Sequence, residues 1–300
     1  METRFLQTFL SVVQTGSLSE AARRLNITPS AVVQRIKALE DEIGQPLIQR
    51  AGHAMQATPA GDAILPEVER MLALADDIKA AAAADLETGL LRIGVIHSAL
   101  TGLLPDLLVQ LRQNRPGIEL YILPGMSGDL YSRISEGKLD AAVIVQPHFA
   151  LPKAFDWVLL RQEELLVITP PAVIETDPRS ILKREPFIRY DRNHWGGRIV
   201  DLHLRKLKIQ PKERYELDSL EAITILVSRG LGVSLVPDWL PPWPEGANVR
   251  RIRAIGAPTR DIGIVWSRSS NRLPLIRAFV AEAVSAIRLK HPPRVPPGQG

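Results

Sequence analysis

The stretch Ser17–Ile43, SLSEAARRLNITPSAVVQRIKALEDEI, decides the fold of the N-terminal part of the chain. It predicts two short helices joined by a tight turn. Ser17 and Glu20 have the capping-box spacing, in which each side chain satisfies a free backbone N–H at a helix start. Thr28 supplies a second N-cap, and Pro29 stands at the first helical position, where its missing N–H costs nothing. We therefore expect the second helix to begin at Pro29.

The second helix has two different faces. Val32, Ile36, Leu39 and Ile43 follow one another at spacings of four, three and four, which is the buried face of a helix. The opposite face is free and carries Ser30, Val33, Gln34 and Lys37, with Arg35 on its flank. Such a helix pair is typical of a helix-turn-helix that reads the major groove of DNA. An ordinary helical hairpin with a solvated polar face is the alternative.

Composition excludes several classes of protein. The 300 residues are 45% hydrophobic, which supports two or three domains with their own cores. There is no cysteine, so disulfides, zinc-thiolate sites and thiol redox sensing are excluded. The N-terminus lacks the pattern of a signal peptide, and no apolar run approaches the roughly 20 residues of a membrane span. We expect a cytoplasmic protein.

Charge is distributed unevenly along the chain. Residues 1–58 hold six Lys and Arg against five Asp and Glu, so the predicted DNA-binding part is almost neutral. Its affinity for DNA must come from a few placed cations and from doubling by dimerisation. Residues 90–300 hold 29 basic against 21 acidic residues, which indicates an anionic ligand in that part.

The elements around the helix pair complete a small domain over residues 1–58. An amphipathic first helix, with apolar residues from Phe5 to Val13 and its end near Gly16, closes a three-helix core. The segment from Gln45 to Thr58 predicts a two-stranded wing, whose Arg50 and His53 are available to a phosphate or the minor groove. A plain connecting loop is the alternative for this segment.

Residues 59–89 predict a long linker helix and a hinge. The apolar positions alternate spacings of four and three, as in a heptad seam. A helix of this length, about 40 Å at 1.5 Å per residue, is better suited to dimerisation than to covering one small domain. The seam consists of Ile64, Val68, Met71, Ala75, Ile78 and Ala82, and Glu87 to Gly89 form the hinge.

The remaining chain, residues 90–290, alternates strands with amphipathic helices, which predicts α/β layers around a parallel sheet. Strands are expected at 91–96, 118–123 and 141–145, then near 164–169, 186–190, 212–218, 232–236 and 262–266. Helices are expected at 102–114, 127–136, 194–206, 219–229 and 273–287. Residues 291–300, HPPRVPPGQG, form a loose tail.

Together these residues resemble the LysR-type transcriptional regulators over almost the whole chain. The most specific part is LNITPSAVVQRIKALEDEIGQPLIQR, followed by ATPAG. Residues 94–105, 136–140 and 230–237 resemble the family's effector domain. The resemblance implies a winged helix-turn-helix, a linker helix and a two-lobed domain like the type 2 periplasmic solute-binding proteins. We expect lobe I at about 90–162 and 267–290, and lobe II at about 163–266.

The chain departs from the family at two exposed positions of the second helix. Pro29 stands where the family often has glutamine, and Val33 where it usually has serine. The Val33 methyls can meet a thymine methyl but cannot donate a hydrogen bond. We therefore expect an individual operator preference. The predicted DNA contacts are Ser17, Thr28, Pro29, Ser30, Val33, Gln34, Arg35, Lys37, Arg50 and His53.

A ligand site is expected beyond the carboxyl ends of the strands, where helix N-termini present free N–H groups. The resemblance places Ser98 at a position that commonly touches effector. Simple N-capping is the alternative for each serine, and their convergence favours a pocket. The predicted effector contacts are Ser98, Thr101, Gly125, Ser127, Gln146, Tyr190, Arg192, His194 and Ser219.

The loop Arg189–Arg198 is the most individual of the chain. Its cations and Trp195 would clamp an aromatic or dicarboxylic acid, or Trp195 packs into the core of a solvated loop. No acid pair, histidine cluster or nucleophile constellation predicts an enzyme, and no cofactor or metal is expected. A cytoplasmic small-molecule-binding protein, or a solute-binding-like module without catalytic activity, is the alternative function.

The expected partners are double-stranded operator DNA with an interrupted palindrome and other copies of the chain, in a dimer or tetramer. A small effector is also expected, and the basic excess of residues 90–300 favours an organic acid. RNA polymerase is a candidate partner. We do not expect a membrane as a partner.

Overall fold

A computed structural model describes residues 2–52, 54–82, 88–254 and 256–290 of the chain. The chain divides into two compact units, Met1–Ala84 and Asp85–Gly300. His53, Glu87 of the predicted hinge and the predicted tail 291–300 lie outside the described residues. Gly89, the other end of that hinge, already begins a strand. Among the described residues, no helix is both long and apolar enough to cross a bilayer.

The first unit is a three-helix core with a wing and a long helix, as predicted. Its elements are α1 (Thr3–Thr15), α2 (Leu18–Arg24), α3 (Pro29–Ile43), β1 (Ile48–Ala51), β2 (Ala54–Ala57) and α4 (Pro59–Ala82). The core forms because each of the three helices buries one apolar stripe. The fully buried side chains include Leu6, Phe9, Val12, Val32 and Leu39.

The starts of α2 and α3 are set by their N-caps. The Ser17 hydroxyl accepts a hydrogen bond from the Glu20 N–H, and the Thr28 hydroxyl accepts one from the Ala31 N–H. The reciprocal half of the predicted capping box is wrong. The Glu20 carboxylate pairs with Arg23 one turn on, and the Ser17 N–H donates to the Thr15 hydroxyl instead. A cation and a hydroxyl nearby in the sequence thus take up both groups.

The wing is an antiparallel pair, with Ile48 opposite Ala57 and Ala51 opposite Ala54. Glu40 on α3 fixes its base, because its carboxylate accepts hydrogen bonds from the backbone N–H groups of Leu47 (2.7 Å) and Ile48 (3.1 Å). Thr58 then caps α4, accepting from the Gly61 N–H at 3.0 Å. The predicted wing is therefore present, anchored to the helix that precedes it.

Helix α4 does not present the whole predicted seam to a partner. Val68 is 3% exposed and belongs to the core of the first unit, and Ile64 packs partly against the same core. The assignment of Val68 to an intermolecular seam is therefore wrong, because the N-terminal half of α4 completes the three-helix core. Farther along, Met71, Leu74 and Ile78 are exposed. The side chain of Ala82 lies outside what the structure describes.

The second unit has two lobes, and the first is built on a five-stranded sheet in the order β4-β3-β5-β12-β6. Its elements are β3 (Gly89–Val95), α5 (His97–Gly102), α6 (Leu104–Asn114), β4 (Ile118–Pro124), α7 (Ser127–Ser135), β5 (Ala141–Val145), β6 (Phe155–Glu163), β12 (Arg260–Ser267) and α11 (Leu273–Lys290). The strands β3, β4 and β5 run parallel, as predicted.

The second lobe contains a three-stranded sheet, β10-β7-β11, and the parallel pair β8-β9. Its elements are β7 (Leu165–Thr169), α8 (Pro178–Arg184), β8 (Pro186–Tyr190), α9 (Trp195–Lys206), β9 (Lys212–Leu217), α10 (Leu220–Ser228), β10 (Ser234–Pro237) and β11 (Arg250–Arg253). A separate apolar core, including Phe187, Ile223 and Trp239, holds these elements together.

The second unit differs from the prediction in its strand directions, in the lobe of one strand and in several elements. The sheets are mixed, because β12 is antiparallel to β5 and β6, and β7 is antiparallel to β10 and β11. The predicted strand 262–266 belongs to the first lobe, although it was assigned to the second. Strands β6 and β11 and helices α5 and α8 were not predicted, and the helix expected at 102–114 is α6 (Leu104–Asn114).

The Glu40 anchor gives a test of the first unit. We expect Glu40→Ala to lower the free energy of unfolding by about 1–3 kcal/mol, because two backbone N–H groups lose their acceptor. Asp41→Ala is the control, since Asp41 is an exposed carboxylate next to it. Urea unfolding of the full chain measures both changes. Equal stability of the two variants would contradict the role of Glu40.

Candidate functional site

The exposed face of α3 carries the predicted DNA contacts of that helix. Pro29, Ser30, Val33, Gln34 and Lys37 are exposed, and Val33 retains 49% of its surface. Val32, Ile36 and Leu39 are buried on the opposite face. No packing within the first unit therefore occupies this face, and its polar groups are available to a base edge or a phosphate.

Five of the predicted DNA contacts have hydrogen-bond partners within the first unit. Ser17 and Thr28 cap helices, and the Thr28 hydroxyl also lies 2.9 Å from that of Ser30. The half-buried Arg35 donates from its Nη1 to the Thr8 hydroxyl at 3.4 Å, which points it back toward α1. On the wing, Arg50 is exposed, and its Nε donates to the Gly52 carbonyl at 3.1 Å.

The second unit contains a cavity of about 220 Å³ between its two lobes. Six of the nine predicted effector residues line it: Ser98, Gly125, Ser127, Tyr190, His194 and Ser219. The N-terminal ends of α7, α9 and α10 are at its wall, because Ser127, Trp195 and Leu220 line it. The convergence expected from the strand ends is therefore present.

Thr101, Gln146 and Arg192 do not line this cavity. Thr101 and Gln146 are exposed elsewhere on the surface. Arg192 is held away by two carboxylates, with Nη2 2.6 Å from Glu213 and Nε 3.0 Å from Glu216. Arg189 is likewise paired, with Asp201 and Glu213. The cationic clamp expected of this loop is therefore wrong, because acidic neighbours occupy Arg189 and Arg192, and Arg198 does not line the cavity.

Each serine of the cavity also has a structural bond. The Ser127 hydroxyl accepts from the Val145 N–H at 3.1 Å, and the Ser219 hydroxyl caps α10. The Ser98 hydroxyl accepts from the Arg260 guanidinium at 3.1 Å. An accepting hydroxyl still has its own proton to donate. Capping and ligand binding are therefore compatible at these positions.

The charged centre of the cavity is Arg260, which sequence reasoning missed. It is 1% exposed, and its Nε lies 2.7 Å from the carboxylate of Glu163. Burial raises the pKa of Glu163, and the charge of Arg260 opposes that shift. The only signal in the sequence is an arginine that opens an apolar strand, DIGIVW, about a hundred residues from its partner.

Gly196 lets Tyr190 and Arg260 approach each other. A Cβ on Gly196 would lie 2.8 Å from the Tyr190 hydroxyl and 3.1 Å from Cδ of Arg260, so a side chain there would collide with both. Burial raises the pKa of Tyr190, while Arg260 acts to lower it. Tyr190 belongs to β8 of the second lobe, so the guanidinium lies where the lobes meet.

Aromatic side chains form two further walls. Trp195 packs near Tyr131, His148 and Phe149, with ring centroids 5.8–6.1 Å away, so it reaches from the second lobe to the first. Both predicted roles of Trp195 are thus combined, since its ring is partly packed and also lines the cavity. On another wall, Trp239 stacks on the Trp243 ring at 4.0 Å.

The described residues include no group of three His, Cys, Asp or Glu side chains placed to hold a metal ion.

Two protein families match the chain. Residues 3–62 match the bacterial regulatory helix-turn-helix proteins of the lysR family, and residues 84–288 match the LysR substrate binding domain. The second match alone covers more than half of the chain.

Similar proteins agree with both matches. The probable HTH-type transcriptional regulator LrrA of Synechococcus elongatus is 31% identical, over 92% of this chain and 94% of its own. The regulator CzcR of Bacillus anthracis is 30% identical, over 79% and 80%.

Solved structures share the fold at lower identity. Full-length CbnR in complex with its target DNA has a TM-score of 0.69 at 21% identity, over 95% of this chain and 100% of its own. A full-length OxyR variant from Pseudomonas aeruginosa has a TM-score of 0.64 at 24% identity, over 99% of both chains. The chain therefore belongs to the LysR family and is a DNA-binding transcriptional regulator with a LysR substrate-binding domain.

Proposed function

We propose that this regulator reads its operator with the exposed face of α3 and that a small organic acid, bound in the cavity of the second unit, changes its binding to that operator. The observation that carries the effector part is the convergence of Ser98, Ser127 and Ser219 with Arg260 on one cavity. The regulator acts in the cytoplasm, where its operator is.

Base readout is assigned to few side chains. Gln34 is exposed near the N-terminus of α3, and an amide can make a bidentate contact with adenine. Val33 offers methyl groups to thymine, and Lys37 and Arg50 offer charge to phosphates. Because residues 1–58 are almost neutral, these few contacts and the pairing of two copies must supply the affinity.

Self-association is assigned to the exposed part of α4. Met71, Leu74 and Ile78 keep 41%, 60% and 66% of their surface, which is unusual for apolar side chains on one helix. A second copy of α4 is their proposed cover, in a dimer or a dimer of dimers. Pairing of two copies would set the separation of the operator half-sites.

A carboxylate suits one side of the cavity. The N-terminal end of α7 presents free N–H groups there, and the hydroxyls of Ser98 and Ser127 can donate. Arg260 adds the only guanidinium among the described residues that line the cavity. An acid that prefers one arrangement of the lobes would shift their population and so change DNA binding. RNA polymerase is the proposed further partner at the promoter.

The α3 assignment predicts unequal effects of two substitutions. We expect Gln34→Ala to weaken binding to the specific operator by about tenfold or more and to leave binding to random DNA nearly unchanged, since a base contact is worth about 1–3 kcal/mol. Arg50→Ala should weaken both, because a phosphate contact carries no sequence information. Gel-shift titration against a selected operator and random DNA measures this. Equal losses for both variants on both DNAs would exclude base reading by Gln34.

The cavity assignment predicts that Ser98→Ala abolishes the response to an acid found by thermal-shift screening, with the dissociation constant raised about tenfold or more. Thr101→Ala is the control, because Thr101 lies on the same short helix outside the cavity. Operator binding without the acid should be the same in both variants. A Ser98→Ala protein that responds like the Thr101→Ala protein would refute the assignment.

The α4 assignment predicts that Ile78→Asp weakens dimerisation by about tenfold or more, because a charge would be buried at the seam. Ile174→Asp is the control, since Ile174 is 87% exposed and belongs to the second unit rather than to α4. Sedimentation equilibrium over a range of protein concentrations measures the dissociation constants. Unchanged association of the Ile78→Asp protein would mean that this face of α4 is not the seam.

A further inference from the structure

The cavity has an acidic side that the proposed organic acid leaves unmatched. Asp218 and Glu221 line it, and neither carboxylate has a hydrogen bond or ion pair with another described residue. Arg260 carries the opposite charge, but its guanidinium is already paired with the Glu163 carboxylate at 2.5 Å. A plain carboxylate would therefore enter a cavity whose free side-chain charge is negative.

The two charges belong to different lobes. Arg260 starts β12, Ser98 is on α5 and Ser127 starts α7, all in the first lobe. Asp218 and Glu221 flank the start of α10 in the second lobe. The cavity therefore has a donor pole from the first lobe and a carboxylate pole from the second lobe. A ligand that spans it meets opposite requirements at its two ends.

A buried donor supports the view that the cavity is built for a ligand. Trp239 is 1% exposed and lines the cavity, yet its indole N–H has no acceptor among the described residues. Buried donors normally have a partner, because an unpaired one costs free energy. Met126, Leu220 and the Trp239 ring supply apolar wall for a carbon skeleton. The ligand should thus combine polar ends with an apolar body.

We propose that the effector is a zwitterionic amino-carboxylic acid, with its carboxylate at Ser98, Ser127 and Arg260 and its ammonium group at Asp218 and Glu221. This inference rests on the proposed effector function of the same cavity. Acidic residues at a helix start also stabilise the helix by interacting favourably with its dipole. That role alone does not discriminate between ligands with and without an amino group, so binding measurements separate the two.

The experiment uses the full chain and matched probes at one pH near 7. The probes are the common L-amino acids, the carboxylic acids that lack only the amino group, and the amines that lack only the carboxylate. Isothermal titration calorimetry follows a thermal-shift screen of all three sets. We expect at least one amino acid to bind about tenfold or more tightly than both of its matched partners.

The double variant Asp218→Asn with Glu221→Gln tests the carboxylate pole. It should lose the tenfold preference for the amino acid and keep the affinity for the matched carboxylic acid, which also shows that it is folded. Glu245→Gln is the control, because Glu245 is an exposed acid of the second unit outside the cavity. It should keep the preference unchanged.

Three outcomes would overturn the inference. In the first, a carboxylic acid binds as tightly as its amino acid and shifts operator binding, so the proposed function stands and the zwitterion fails. In the second, the preference persists in the double variant, so the ammonium group binds elsewhere. In the third, no member of the three sets binds, so the zwitterion fails, and the effector part of the proposed function fails with it only if no other organic acid binds in the thermal-shift screen.

Discussion

The second unit depends on the buried ion pair between Arg260 and Glu163. The two residues face each other across the antiparallel strands β12 and β6. Each stands at a crossing between lobes, since β7 follows Glu163 after one residue and the chain returns from β11 into Arg260. Removing one partner of a buried pair leaves an uncompensated charge, which costs several kcal/mol in most proteins, about 3–5. Arg260 and Glu163 therefore hold each other in place, and the pair fixes the two chain crossings between the lobes.

The same guanidinium also faces the cavity. It donates a hydrogen bond to the Ser98 hydroxyl of the first lobe, and its charge acts to lower the pKa of Tyr190 in the second lobe. Gly196 leaves the space that Tyr190 and Arg260 need to approach each other. The ligand site and the point at which the lobes join thus share one side chain. A ligand that contacts Arg260 acts where a small rotation moves a whole lobe. This gives the proposed effector a direct route to a change in the relative placement of the lobes.

The sequence predicted the first unit well because its determinants are local. The Thr28 cap, the Pro29 start and the spacing of Val32, Ile36 and Leu39 fix α3 within one stretch. The half of the capping box that failed did so at the same range, because the Glu20 carboxylate pairs with Arg23 instead of the Ser17 N–H. In the second unit, six of nine predicted cavity residues are in place, since the ends of strands and helix starts can be read from periodicity. Gln146 and Arg192 follow correctly predicted strands, and Thr101 lies one turn into a helix, but none of these three side chains lines the cavity.

By itself, the sequence determined the helix-turn-helix, the wing, the long α4 and the serines at the cavity, because caps, turns and apolar spacing act over a few residues. It also resembled the LysR family closely enough to imply the two lobes. Only the tertiary structure decided that β12 belongs to the first lobe, that Val68 lies in the core, and that Arg260 with Asp218 and Glu221 charges the cavity. Those facts depend on pairing between residues far apart in the chain, and periodicity carries no information about which distant strand or charge will be the partner.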